Sequence, residues 1–147
     1  MRPRRRFGRS RSGGAAVELA VVFPILLLLI IGVVDYGRAF YTSVTVSNAA
    51  RAGAEYGAQS SGALVDTITM KSFAQGDGQD AGTLTLTPVR YCECGGVAHS
   101  CNSACAGGEA PDVFFELTAS KSVTMLLPYP GLPSTISISR KATFRSQ

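Results

Sequence analysis

The feature that most constrains this chain is a long apolar segment near its N-terminus. From Ala15 to Val34, a span of 20 residues, every residue except Glu18 is apolar, glycine or proline. At about 1.5 Å of helical rise per residue, such a segment is roughly 30 Å long, which matches the hydrocarbon thickness of a bilayer. The alternative of a core helix would need more surrounding protein than a chain of 147 residues offers. The segment therefore predicts a membrane-spanning helix in contact with lipid.

Positive charge is concentrated on the N-terminal side of this segment. Six arginines and no acidic residue precede it, namely Arg2, Arg4, Arg5, Arg6, Arg9 and Arg11. Because basic flanks stay in the cytoplasm, the leader should remain inside and the rest of the chain should lie outside. The other 8 of the 14 basic residues are outnumbered by 10 acidic ones. Arginine runs also bind nucleic acid, but a run next to a span favours a role in topology, and we predict no nucleic-acid partner.

A cleaved secretory signal peptide is the main alternative for this N-terminal segment. The sequence Gly37-Arg38-Ala39 would permit a cut after Ala39. The apolar region of a signal peptide is usually about 7 to 15 residues long, which is shorter than this one. Asp35 follows the segment, and a helical pattern continues beyond it without a break. We therefore predict that the span is retained.

The helical pattern extends well past the apolar segment. Side chains recur at three- and four-residue steps at Val33, Tyr36 or Gly37, Phe40, Val44, Ser47, Arg51, Ala54 and Ala58. The pattern predicts one helix from about residue 15 to residue 58, kinked or loosened at Pro24 because proline removes a hydrogen bond. Small residues such as Ala49 and Gly53 permit close approach of another element. Beyond residue 44 we expect that element to be the chain's own sheet.

The C-terminal part has the composition of a small α+β domain. Turn-rich segments at 59–62 and 76–82 bracket a short predicted helix that would bury Leu64, Val65, Ile68 and Phe73 and expose Asp66 and Lys71. Alternating side chains predict strands at 83–91, 113–119 and 136–144, and Pro88 favours an edge position for the first. We predict an α+β fold in which a long N-terminal transmembrane helix continues into a small outer domain with a short antiparallel sheet.

All four cysteines fall within one loop, at Cys92, Cys94, Cys101 and Cys105. A small domain outside the cytoplasm favours two disulfides. Pairing across the loop is favoured over closure of the tight ring between Cys92 and Cys94, and this leaves Cys92 with Cys101 or Cys105 as partner. The spacing differs from paired Cys-x-x-Cys zinc sites, although His99 keeps zinc as an alternative. No nucleophile motif or phosphate-binding loop is present, so we predict no catalytic residue, metal or cofactor.

The carboxylate of Glu18 is unusual inside an apolar span. Near the centre of a bilayer an acidic residue costs roughly 2.5 to 3.5 kcal/mol, and such residues are functional by default. One interpretation is that Glu18, only one turn from the start of the span, reaches the lipid headgroups. The other is that a cation meets Glu18 inside a packed assembly of helices.

Several motifs along the first helix occur together in one known family. They are the basic leader, the Gly-Gly doublet followed by small residues and Val-Glu, the proline in the span, the exit Asp-Tyr-Gly-Arg at residues 35–38, and Asn-Ala-Ala-Arg-x-Gly-Ala at residues 48–54. Over residues 13–58 the chain resembles the TadE-like family, small pilin-like proteins (pseudopilins) of the Tad, or Flp, tight-adherence pilus machinery.

The resemblance implies proteolytic processing and assembly. A prepilin peptidase would cut between Gly13 and Gly14, so that Glu18 becomes the fifth residue; the doublet also offers a cut after Gly14. The freed amine of Gly14, with an ordinary pKa of about 8, would meet Glu18 of a neighbouring subunit. The implied partners are the peptidase, sister pilins, the inner-membrane Tad assembly platform and the lipid bilayer.

The domain organisation that follows has three parts: a cleaved basic leader at 1–13, a transmembrane and stalk helix at 14–58, and an extracytoplasmic α+β domain at 59–147 with its Cys-rich loop at 92–105. The predicted function is that of a minor pilin or pseudopilin in the bacterial inner membrane or in the pilus, with a part in pilus assembly, adhesion and secretion. The alternative is an uncleaved single-pass anchor whose outer domain binds an export or adhesion partner.

Overall fold

One long helix dominates the fold. The computed structural model describes residues 13–59 and 67–146. Helix α1 runs over Gly13–Gln59, 47 residues, and continues through Pro24 without interruption. The single long helix predicted from the sequence is therefore confirmed. The arginines of the leader, and Leu64, Val65 and Asp66 of the predicted second helix, lie outside the described residues.

The two halves of α1 have different surroundings. Residues 13–30 are exposed throughout, and this N-terminal part is long and apolar enough to cross a membrane. Beyond residue 44, one face of α1 is buried against the chain's own sheet, through Thr45, Val46, Ala49, Ala50, Gly53, Ala54 and Gly57. The predicted packing of this half on the sheet is confirmed. Phe40 and Val44 of the predicted helical repeat lie before this packed region and are 62% and 45% exposed.

A four-stranded antiparallel sheet covers the C-terminal half of α1. Its strands are β1 (Thr85–Cys94), β2 (Val97–His99), β3 (Asp112–Thr124) and β4 (Thr135–Arg145), in the order β2-β1-β3-β4. This sheet and the apolar helix confirm the predicted α+β class. Strand β2 was not predicted, because its three residues follow a glycine pair that resembles a loop. Gly95 and Gly96 have φ values of 61° and 81°, which the tight turn between β1 and β2 requires.

The position of Pro88 in the sheet agrees with its chemistry. Pro88 lies opposite Leu117 of β3. Strand β2 pairs with β1 only from Cys92 to Cys94. Within the described part of the chain, β1 is thus an edge strand at Pro88, where a missing N–H is tolerated.

The predicted second helix is present as α2 (Thr67–Asp77), which packs beside α1, but it buries other residues than the ones predicted. Met70 and Ala74 are buried, whereas Ile68 and Phe73 are 74% and 53% exposed. The reason is the closeness of the two helices. A Cβ placed on Gly57 of α1 would lie 3.0 Å from the Cε atom of Met70, so a small alanine and a flexible methionine fit there better than branched or aromatic side chains.

Gly53 is the closest point between α1, α2 and the sheet. A Cβ at this position would lie 3.0 Å from the Cβ of Ala74 and would also overlap the side chain of Leu117, which is fully buried in β3. The glycine therefore sets how closely the helix can lie on the sheet.

We predict that Gly53→Val destabilises the domain, because an isopropyl group, the Cβ and two methyl groups, must enter space that is already filled. The expected loss is about 1–3 kcal/mol, or about 4–8 °C in Tm for each kcal/mol. Gly37→Val is the matched control, since nothing lies within 4 Å of a Cβ at Gly37. Thermal unfolding of the detergent-solubilised protein by circular dichroism measures both. Equal Tm values for the two variants would contradict the packing described.

Candidate assembly interface

The first candidate site is the exposed apolar surface of α1. Gly13 and Gly14 lie at its start, with nothing within 4 Å of a Cβ placed on either. Glu18 follows four residues later and is exposed on the same helix, about 6 Å farther along the axis. No hydrogen bond or ion pair joins Glu18 to another residue in the described part of the chain. Among the described residues, none packs against Glu18 or against the side-chain positions of Gly13 and Gly14.

The second feature is a polar contact where the apolar part of α1 ends. Asp35 is only 3% exposed. Its two carboxylate oxygens accept a hydrogen bond from the backbone N–H of Leu126 at 3.0 and 3.1 Å. The hydroxyl of Tyr129 donates to Asp35 Oδ2 at 3.3 Å. Asp35 therefore fastens the β3–β4 loop, residues 125–134, to the helix.

Electrostatics strengthen this contact. The guanidinium of Arg38, one turn farther along α1, lies 3.7 Å from Asp35 Oδ1 and partly balances its charge. Burial of the Tyr129 hydroxyl and the adjacent negative charge of Asp35 raise the pKa of Tyr129 above its ordinary value. Tyr129 thus remains a hydrogen-bond donor at neutral pH. From the sequence alone Asp35 is only the residue after the span, because its partners are more than 90 residues away along the chain.

The third feature is a cross-linked lobe formed by β2 and the loop that follows it. Disulfides join Cys92 to Cys101 and Cys94 to Cys105. The structure thus shows pairing across the loop and selects Cys101 as the partner of Cys92. Both sulfurs of each pair are consumed, so no thiolate remains for the zinc alternative.

The histidine of the chain, His99, lies in this lobe. His99 is exposed, with its Nε2 atom 3.1 Å from Ser103 Oγ and 3.2 Å from the carbonyl oxygen of Ala104. Across residues 13–59 and 67–146, no group of three or more His, Cys, Asp and Glu side chains is placed to hold a metal ion.

These features define a class of protein: a small α+β domain mounted on the C-terminal half of a helix whose N-terminal half is apolar and uncovered. A family model described as "TadE-like protein" matches residues 13–55, nearly all of α1. The match confirms, over those residues, the resemblance predicted from the sequence. The sheet domain lies outside the match. Comparison with curated proteins and with solved structures gave no match.

We predict that Asp35→Ala releases the β3–β4 loop, because the substitution leaves the Leu126 N–H and the Tyr129 hydroxyl without their acceptor. The expected cost is about 1–3 kcal/mol, which corresponds to roughly 5- to 150-fold faster amide exchange at Leu126. Hydrogen exchange of the peptide that contains Leu126 measures it. Asp80→Ala is the control, since Asp80 is an exposed acceptor for Tyr41 at 3.1 Å. Unchanged protection in Asp35→Ala would contradict the role of this carboxylate.

The two disulfides should contribute unequally. Cys92 is 1% exposed, whereas Cys94 and both partner cysteines are half-buried. The double variant Cys92→Ala with Cys101→Ala should lose about 2–4 kcal/mol, a typical disulfide contribution. The matched variant Cys94→Ala with Cys105→Ala should lose less, because it creates no buried cavity. Thermal unfolding without reductant compares them, and the reverse order of Tm values would refute this ranking.

Proposed function

We propose that this protein is a minor pilin or pseudopilin of a Tad pilus, cleaved between Gly13 and Gly14 and assembled through its N-terminal helix. The observation that carries the proposal is the coincidence of the family match over residues 13–55 with an α1 half that is exposed and apolar. An apolar helix surface of this length requires lipid or other helices around it.

Processing would turn the N-terminus into part of the interface. Cleavage after Gly13 removes the arginine leader and leaves a protonated amine on Gly14. Because Glu18 has no partner among the described residues, this amine on a neighbouring subunit supplies the missing cation. A charge among apolar helices is tolerated when it is paired, so each pair would set the axial register between subunits.

Before assembly, the protein would lie in the bacterial inner membrane as a single-pass protein. The arginine leader would face the cytoplasm, where the prepilin peptidase acts, and the sheet domain with its disulfides would lie outside. Sister pilins and the inner-membrane assembly platform would then replace lipid around α1. In this scheme the chain is a structural protein that takes part in pilus assembly, and it is not an enzyme. The assembled pilus serves adhesion and secretion.

Mass spectrometry of the chain from membranes and from sheared surface fibres tests the processing step. We expect a mature N-terminus at Gly14 in cells with the prepilin peptidase and an intact leader in cells without it. An intact leader in both would support the uncleaved single-pass anchor instead. A chain that begins at Phe40 would indicate signal-peptidase cleavage and would refute both.

Substitution of Glu18 tests the assembly step. Glu18→Gln removes the charge but keeps the shape, so we expect the variant to reach the membrane and to be lost from the fibres. The control is Glu55→Gln, which changes an exposed acid on the same helix that hydrogen-bonds to Gln59 at 3.1 Å. Normal pilus assembly with Glu18→Gln would show that the pairing is not needed.

A further inference from the structure

The β3–β4 loop, Met125–Ser134, is unusually apolar for an exposed connection. It contains three leucines, three prolines and one tyrosine, and the chain has no charged residue between Lys121 and Arg140. Leu126 and Leu132 are 55% and 58% exposed. Exposed leucines in an uncharged segment are typical of a surface that another apolar phase covers.

The loop has a defined shape. The N–H of Met125 donates to the carbonyl oxygen of Ser134 at 2.9 Å, which closes the base of the loop. The N–H of Leu132 donates to the carbonyl oxygen of Tyr129 at 3.1 Å, and Gly131 has a φ of 83° in the turn between them. Its leucines are therefore presented from an ordered turn.

The attachment of the loop fixes its level along α1. Tyr129 Oη lies 3.7 Å from the position of a Cβ on Gly32, and Asp35 binds the loop backbone. Gly32 and Asp35 flank Val34, the last residue of the apolar segment. The loop is thus level with the end of the membrane-spanning segment, and not with the distant Cys-rich lobe.

Polar and charged groups lie just beyond this level. Arg38 follows Asp35 by about 4.5 Å along the helix axis. Farther on, Arg140 donates to Ser43 Oγ at 2.6 Å and Lys121 donates to the carbonyl oxygen of Thr83 at 2.9 Å. Asp80, bound to Tyr41, also lies in this region. The apolar β3–β4 loop therefore lies beside the end of the span, and the basic residues lie farther from the membrane centre. Acyl chains and phosphate groups follow the same order in a bilayer.

We propose that the β3–β4 loop inserts into the outer headgroup region of the bilayer and forms a second membrane contact beside α1. The proposal rests on the membrane placement given under the proposed function. Leu126 and Leu132 enter the boundary between headgroups and acyl chains, and Tyr129 lies at the interface, where amphipathic aromatic rings are enriched. Asp35 holds the loop in place. Because the sheet domain is packed on the continuous helix α1, this second contact restricts the tilt of α1 and the domain together relative to the membrane.

Single-tryptophan fluorescence tests this contact, since the natural chain contains no tryptophan. The full chain is reconstituted at low protein density in phosphatidylcholine vesicles with and without brominated acyl chains. We expect Leu132→Trp to show blue-shifted emission that brominated lipid quenches. Val97→Trp is the control in water, because Val97 is 69% exposed in β2 at the other end of the sheet. Leu28→Trp reports insertion of the span itself.

The outcomes separate the loop from the span. Quenching of Leu28→Trp without quenching of Leu132→Trp overturns the loop contact and leaves the proposed function intact. Absence of quenching at both positions overturns the membrane placement on which both proposals rest. Blue-shifted Leu132→Trp emission that depends on protein density and not on brominated lipid indicates a second copy on the loop, and this result also overturns the lipid contact.

Discussion

The structure depends on the mismatch between the length of α1 and the size of the domain that covers it. The sheet and α2 cover only the C-terminal half of the helix, and the first 18 described residues of α1 are exposed. At roughly 25 cal/mol per Å² of apolar surface, exposure of this part of the helix to water is strongly unfavourable. Lipid or neighbouring helices around this surface would remove that cost, and the location and assembly proposed for the protein rest on this requirement.

The C-terminal half of the same helix packs against the sheet and α2. Beyond Val46 its buried face is built from alanine and glycine, so α2 and β3 approach the helix backbone closely at Gly53 and Gly57. Large side chains on the sheet, such as Leu117 and Phe115, fill the space that the small residues leave. One continuous helix thus carries an apolar surface suited to lipid and a small-residue surface suited to a sheet. Asp35 lies between them and fastens the domain to the end of the first.

Sequence reasoning was strongest where the pattern is local. The apolar length predicted the span, alternation predicted the strands at 83–91, 113–119 and 136–144, and joint motifs predicted the family that matches over residues 13–55. It was weaker where the outcome depends on distant partners. The inward face of α2 was predicted from the largest side chains, but the close approach of α1 favoured Met70 and Ala74. The contact between Asp35 and the β3–β4 loop had no local signal, since Leu126 and Tyr129 are far away in the sequence.

In the proposed assembly, Glu18 of this chain meets the N-terminal amine of a neighbouring subunit across apolar helix surfaces. A membrane-permeant carbodiimide, which joins a carboxylate to an adjacent amine without a spacer, measures this contact directly in fibres assembled from a mixture of isotopically heavy and light chains. We expect a peptide in which Glu18 is joined to the N-terminal residue of another subunit, either a sister pilin or a copy of this chain with the other isotope label. Fibres that contain the protein but yield this cross-link only within single chains, or not at all, would show that Glu18 does not have this partner.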